Sequence, residues 1–328
     1  MKEEHEEKIS QFWTRYAWRA VHTGDAADVR RMIENGVDVN ARDDKQQNMT
    51  LLHAAAYLGK TEVVSVLVDM HADLEARDEL GHTPLHNAVL AEELEALSEL
   101  VRRGADKESV AEKGTPLFFA ATQGKLMALE LLVRLGASTE ARNSEGDTPL
   151  HAAAHCGHRD VVILLVELGA NKDVLNDRNA TTPLHTAAIQ GNLDVVEELM
   201  RMGANIEAES VNNERPLHFA AAVGHLDVVK ALAFAGANLK ARTSQGETPL
   251  QMSVRLGHSA AVERELRQWG AGEMSLSRKK TAAKKDSPTR EDKEEADRKM
   301  NELLAEEEDA KKEDEAAAAK KKKVRECV

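Results

Sequence analysis

The sequence predicts an all-α repeat solenoid followed by a charged low-complexity tail. Three observations carry that reading. A six-residue phrase, Thr-Pro-Leu-His-x-Ala in its commonest form, begins at Thr50, Thr83, Thr115, Thr148, Thr182, Arg215 and Thr248, at intervals of 33, 32, 33, 34, 33 and 33 residues. A fixed period in this range marks a stack of like units. A glycine keeps step nine residues after the start of six copies, at Gly59, Gly124, Gly157, Gly191, Gly224 and Gly257. The third observation is compositional. Hydrophobic residues make up 42% of the 328 residues but aromatics only 3%, so the core must be built from Ala, Leu and Val, which suits closely packed helices.

The elements follow in order. A capping helix is expected over 1–16, with Trp13 and Trp18 covering the exposed edge of the first unit. Repeats are expected over 17–273, about eight of them. The first is divergent and contains Gly24 and the run from Gly36 to Ala41. Within each unit, Thr before Pro is a helix N-cap with Pro at the first helical position, where its missing N–H is no loss. The His that follows is placed for its ring to bond back to the cap. The Ala pair lets a neighbouring helix approach. The ninth-step glycine ends this short helix and turns the chain. An amphipathic second helix comes next, for example 193–200, with apolar residues at helical spacing. A Gly-Ala pair such as Gly203-Ala204 closes it, and a polar stretch with turn chemistry leads to the next Thr.

This pattern resembles the ankyrin repeat, whose signature is the same phrase at a 33-residue period. The resemblance covers roughly 14–273. It implies an ankyrin-repeat stack of antiparallel helix pairs with β-hairpin or turn connections at one edge, each unit relying on its neighbours for a core. Departures from the pattern predict local irregularity. Glu92 stands where a hinge glycine is usual, the stretch 107–114 is one residue short, and Phe118 replaces His, so an irregular joint is expected near 90–120. The last copy, with Gln251, Arg255, Glu263 and Arg264, reads as a polar C-terminal cap.

Thirteen histidines invite a metal or catalytic reading. Five of them, His53, His86, His151, His185 and His218, occupy the phrase. His158, His225 and His258 follow the hinge glycine. One per unit and far apart, they read as architecture. Asp38, Asp73 and Asp106, with Asn171, Asn205 and Asn238, recur after the second helix as turn residues. No HExxH, paired CxxC, EF-hand, GxGxxG or phosphate-loop motif is present. No enzyme activity, cofactor, metal or small-molecule substrate is therefore expected. Cys156 and Cys327 cannot form a disulfide framework. The Glu-rich start is neither a secretory signal nor a transit peptide, and a cytoplasmic location is expected.

The tail, 274–328, holds 16 Lys/Arg and 15 Asp/Glu, so the whole-chain charge of -13 leaves the repeat body at -14. Its charge lies in blocks, with almost no apolar residues, and predicts disorder or a fraying single helix. The segment 320–325 resembles a nuclear-import signal, which makes the nucleus the alternative location. Ser287-Pro288 resembles a proline-directed kinase site.

In function, the resemblance implies a non-enzymatic protein–protein interaction scaffold or adaptor. An unidentified protein partner would lie on the concave face formed by hairpin tips and the exposed side of the first helices. Carried over residue by residue, the candidate partner-binding positions are Tyr57, Leu58, Leu80, His82, Leu90, Gln123, Glu145, Asp147, His155, Ile189, Gln190 and Arg255. Tyr57, Leu58, Leu90 and Ile189 admit two readings: a contact surface in the first half, or packing against a neighbouring hairpin. The alternative function is a tether whose basic tail binds nucleic acid, cytoskeleton or acidic membrane while the repeats hold a partner.

Overall fold

A computed structural model describes residues 13, 15–43, 47–112, 114–257 and 259–269. All lie in the first of two units, Met1–Gly272, the second being Glu273–Val328. The expectations for the tail, and most of the capping segment 1–16, fall outside the described residues.

The described chain is a row of helix pairs. They are α1 (15–23) with α2 (Ala26–Glu34), α3 (Leu51–Tyr57) with α4 (Thr61–Asp69), and α5 (Pro84–Ala91) with α6 (Leu94–Arg102). Next come α7 (Pro116–Gln123) with α8 (Leu126–Arg134), and α9 (Pro149–Cys156) with α10 (Arg159–Glu167). The last are α11 (Pro183–Gln190) with α12 (Leu193–Arg201), α13 (Pro216–Val223) with α14 (Leu226–Phe234), and α15 (Pro249–Leu256) with α16 (Ala260–Gln268). From α3 onward each first helix packs on the first helices of its neighbours, and each second helix on neighbouring second helices. We call these the inner and outer layers. Between α2 and α3 lies a short antiparallel hairpin, β1 (Arg42–Asp43) with β2 (Met49–Thr50), in the register Arg42 to Thr50.

The repeated letters explain this packing. The phrase leucines Leu117, Leu150 and Leu184 are completely buried, as are the phrase alanines Ala55, Ala88, Ala120, Ala153, Ala187 and Ala220. An Ala there leaves room for the next inner helix. The outer layer contributes Leu67, Leu100, Leu132, Leu165, Leu199, Leu232 and Leu266, also fully buried. All belong to one continuous core. At the N-terminal end Trp18 is buried. Trp13 is not: it is 38% exposed and stands edge-on to Tyr16 at 6.4 Å.

Three hydrogen-bond ladders cross the joints. In the first, the phrase histidine accepts the N–H of its own cap residue at Nδ1, as in Thr182 to His185 at 3.1 Å. That leaves the proton on Nε2, which donates to the carbonyl of the next hairpin. His53 reaches His82 (3.0 Å), His151 reaches Thr181 (2.9 Å) and His185 reaches Glu214 (3.1 Å). His86 and His218 do likewise with Gly114 and Ala241. In the second ladder, the residue after a hinge glycine reaches back over the preceding hinge. His158 Nε2 donates to the Thr122 carbonyl, Asn192 Nδ2 to those of Ala154 and His155, and His225 Nε2 to that of Ile189. In the third, a carboxylate after each of the outer helices α4, α6, α8, α10 and α12 accepts a backbone N–H of the following unit. Glu75, Glu108, Glu140, Asp173 and Glu207 take those of Asp106, Ser138, Asn171, Asn205 and Asn238.

The second ladder explains why the hinge at 191 is glycine. Gly191 has φ +75°, and a Cβ there would stand 2.5 Å from the His225 ring. The irregular joint near 90–120 is present without interrupting the stack. Glu92 takes the left-handed conformation at φ 60°, and its Oε1 accepts the Met127 N–H at 3.2 Å. The short stretch after α6 closes with a single bridge between Ala111 and Gly114.

Candidate partner-binding surface

Seven of the thirteen histidines, the five of the phrase with His158 and His225, are held in the ladders. Burial pushes the imidazoles of His86 and His185 down to about 4, against the opposing pull of the carbonyls they bond. His53, His151 and His218 are lowered for the same reason. Among the described residues, no group of three or more His, Cys, Asp or Glu could hold a metal ion. No helix described is long and apolar enough to cross a membrane.

The recurring Asp and Asn residues are turn formers. Asp73 Oδ1 accepts the Glu75 N–H, and Asn205 Oδ1 accepts that of Glu207. A second set shapes the hairpins before the inner helices. Asn143 Oδ1 accepts from both Glu145 and Asp147 at 2.9 Å. Asp78 Oδ1 does the same for Leu80 (2.9 Å) and His82 (2.8 Å).

These turns decide where the candidate residues stand. Tyr57, at the end of α3, is 48% exposed, and Leu80, on the following hairpin, 42% exposed. Gln123, His155 and Gln190 are exposed at the ends of their inner helices. Leu58 and Ile189 are half-buried. Leu90 is half-buried too and packs on the core. Glu145 is exposed and pairs with Arg178 at 3.2 Å. Asp147 is half-buried and accepts from Asn176 Nδ2 at 2.9 Å. Arg255 is exposed and bidentate to Glu247, at 2.8 and 3.0 Å. His82 departs from its expected place on the hairpin surface. The Asp78 turn curls it inward, it is only 7% exposed, and its ring packs between His86 and Phe119, at centroid distances of 5.7 and 4.9 Å.

Three exposed apolar residues of the hairpins escaped the sequence reading: Val110, Leu175 and Val211, at 51%, 46% and 60%. A signal existed for two of them. Val110 and Leu175 fall in the register of Arg42, Arg77, Arg142 and Arg242. There an arginine reaches the next hairpin's carbonyl, as Arg77 reaches Val110 and Arg142 reaches Leu175.

From α4 to α14, one outer-layer register holds two carboxylates, Glu99 and Glu198, where the other helices have Val66, Leu131, Leu164 and Ala231. Glu198, with its side chain 3% exposed, takes Arg159 Nη2 at 2.7 Å and is also held by Arg201. Glu99 takes Ser65 Oγ at 2.8 Å, and Arg102 and Arg103 from its own helix end. Hydrogen bonds from Arg102 pull its carboxyl down to about 2, and those from Arg201 lower that of Glu198.

Comparison with known proteins matches this geometry to one family. A family model of ankyrin repeats (three copies) matches residues 17–111, 94–176, 168–243 and 184–272. The chain is 31% identical over 157 residues to neurogenic locus notch homolog protein 1 of Homo sapiens, covering 47% of this chain and 6% of that protein. It is 30% identical over 157 residues to the transient receptor potential cation channel subfamily A member 1 homolog of Caenorhabditis elegans, covering 48% and 13%. The chain thus spans only a small part of these relatives. Among solved structures, the ankyrin repeat domain of Bcl-3, a member of the IkappaB family, aligns with TM-score 0.58 and 30% identity over 66% of this chain and 97% of that one. The human ASB11 ankyrin repeat domain aligns with TM-score 0.57 and 27% identity over 66% and 96%.

Proposed function

Because this chain belongs to the ankyrin-repeat family, whose domains generally mediate protein–protein interaction and are generally non-enzymatic, we propose that it is a scaffold or adaptor that holds a partner protein on the concave face and hairpin tips of the stack. The observation that supports this reading is the grouping of exposed apolar side chains on the hairpins and inner-helix ends, Tyr57, Leu80, Val110, Leu175, Val211 and Val223. Apolar groups of this size on a soluble surface are candidate contact points. Crosslinking of the full chain to the proteins it retains from an extract tests the assignment. Crosslinks should map to hairpins and inner-helix ends, and Tyr57→Ser with Leu80→Ser should reduce capture at unchanged melting temperature. Crosslinks confined to the outer helices would overturn it. The basic blocks of the tail sequence support the second reading, a tether to nucleic acid, cytoskeleton or acidic membrane. Binding of that kind should fall steeply with salt and vanish on deletion of 274–328, with capture by the repeats intact.

A further inference from the structure

Charge is sorted between the two layers. Six consecutive inner helices, α3, α5, α7, α9, α11 and α13, contain no Asp, Glu, Lys or Arg. This holds in a chain of which 31% is charged, and every outer helix carries charge. Burial alone does not explain it, because several of these inner-helix residues are open to solvent: Tyr57, Gln123, His155, Gln190 and Val223. The strip ends where α15 brings Arg255, closed onto Glu247. The surroundings are acidic. The repeat body is net -14, and an exposed carboxylate stands in each of five successive hairpins: Glu79, Glu112, Glu145, Asp177 and Glu209. Arg178, Arg142 and Arg215 pair with Glu145, Asp177 and Glu209, which leaves the first hairpins, with Glu79 and Glu112, less compensated. An uncharged centre inside a charged rim is the composition of a protein–protein interface.

The spacing selects the shape of what fits. Packed helices lie about 8–10 Å apart, so equivalent inner-helix side chains recur at about that interval, over about 40–50 Å. Seven residues of α-helix rise about 10.5 Å and return to nearly the same face. Three residues of a strand span about 10 Å, but residues three apart point to opposite faces. A partner helix can therefore present a like side chain to every repeat, and a partner strand cannot.

We propose that the charge-free side of the inner helices takes an amphipathic α-helix of a partner protein, uncharged toward the strip and bearing Lys or Arg along the flank that meets the hairpin carboxylates. This rests on the partner-holding surface proposed above and names the partner's chemistry. The test presents the full chain with a displayed library of 28-residue helices. Their strip-facing heptad positions are randomised over Ala, Leu, Met, Gln and Ser, and their flanks carry either Lys or Glu. A matched library with a central Pro breaks the helix. Lys-flanked helices should be enriched. The best of them, labelled for anisotropy, should bind at least tenfold more tightly than its Glu-flanked counterpart. It should gain helical signal on binding and lose at least tenfold in affinity on Gln123→Lys with Gln190→Lys. Both substitutions are at exposed positions, and unchanged urea unfolding confirms the fold. Equal enrichment of Glu-flanked or Pro-broken peptides overturns the proposal, as does failure to enrich any helix or binding indifferent to the two lysines. If Glu-flanked or Pro-broken binders are weakened by the two lysines, the surface stands and the partner class is wrong. If all binders ignore the lysines and natural crosslinks map to the outer layer, the surface itself is wrong.

Discussion

Lowering the pH from 7.5 to 5.0 should weaken the stack through the histidine ladder, and the size of the loss can be worked out. An unfolded histidine titrates near 6.5, whereas burial holds His86 and His185 near 4. Between these values the unfolded chain binds more protons than the folded one, so stability falls as pH falls. The contribution is intact above about 6.5 and fully lost below about 4. At pH 5 each of the two residues has given up about 2 kcal/mol, so the pair removes about 4 kcal/mol. His53, His151 and His218 act in the same direction. Glu99, held near 2, loses its contribution only below about 4.5 and hardly enters this window. The protein supplies its own non-titrating control. In the last inner helix Gln251 Oε1 accepts the Thr248 N–H at 2.9 Å, doing what Nδ1 does elsewhere. His86→Gln with His185→Gln should therefore keep the caps and shrink the loss by about 4 kcal/mol. Urea unfolding followed by circular dichroism, at both pH values and for both proteins, measures the difference. A wild-type stability that is flat or rises toward pH 5, or a double variant with the same loss, would refute the ladder as the source.

Three further outcomes can be checked by urea unfolding at neutral pH. Ser253 is 1% exposed and stands where six earlier units have Ala, and its Oγ has no hydrogen-bond partner; Ser253→Ala should stabilise by about 1 kcal/mol, and a loss would show an unseen bond. Glu198→Ala, which abandons Arg159 and opens a gap, should destabilise by about 2 kcal/mol, while Glu198→Leu, matching Leu131 and Leu164, should recover most of that; equal losses would contradict the packing argument. Gly191→Ala forces both a left-handed backbone and a clash with His225, whereas at Gly246, φ +77°, nothing lies within 4 Å of where a Cβ would stand; Gly246→Ala should lose about 1–2 kcal/mol and Gly191→Ala clearly more.

What could be read from the sequence alone was what acts within one unit. The cap by Thr148, the proline after it, the ring of His151 turning back and the stop at Gly157 lie within ten residues, and local geometry leaves them one sensible arrangement. The repeat of that local grammar specified the fold class and took the histidines out of chemistry. The tertiary structure decided what passes between units. That His151 also grips Thr181, that Glu140 caps Asn171 and that Arg159 finds Glu198 depends on how closely two pairs approach, and partners 30 to 40 residues apart leave no local trace. Packing between units likewise covers the ring of His82 with Phe119, while Val110, Leu175 and Val211 stay outward. Hairpin letters specify a turn, but only the neighbouring hairpin determines which of its side chains is covered.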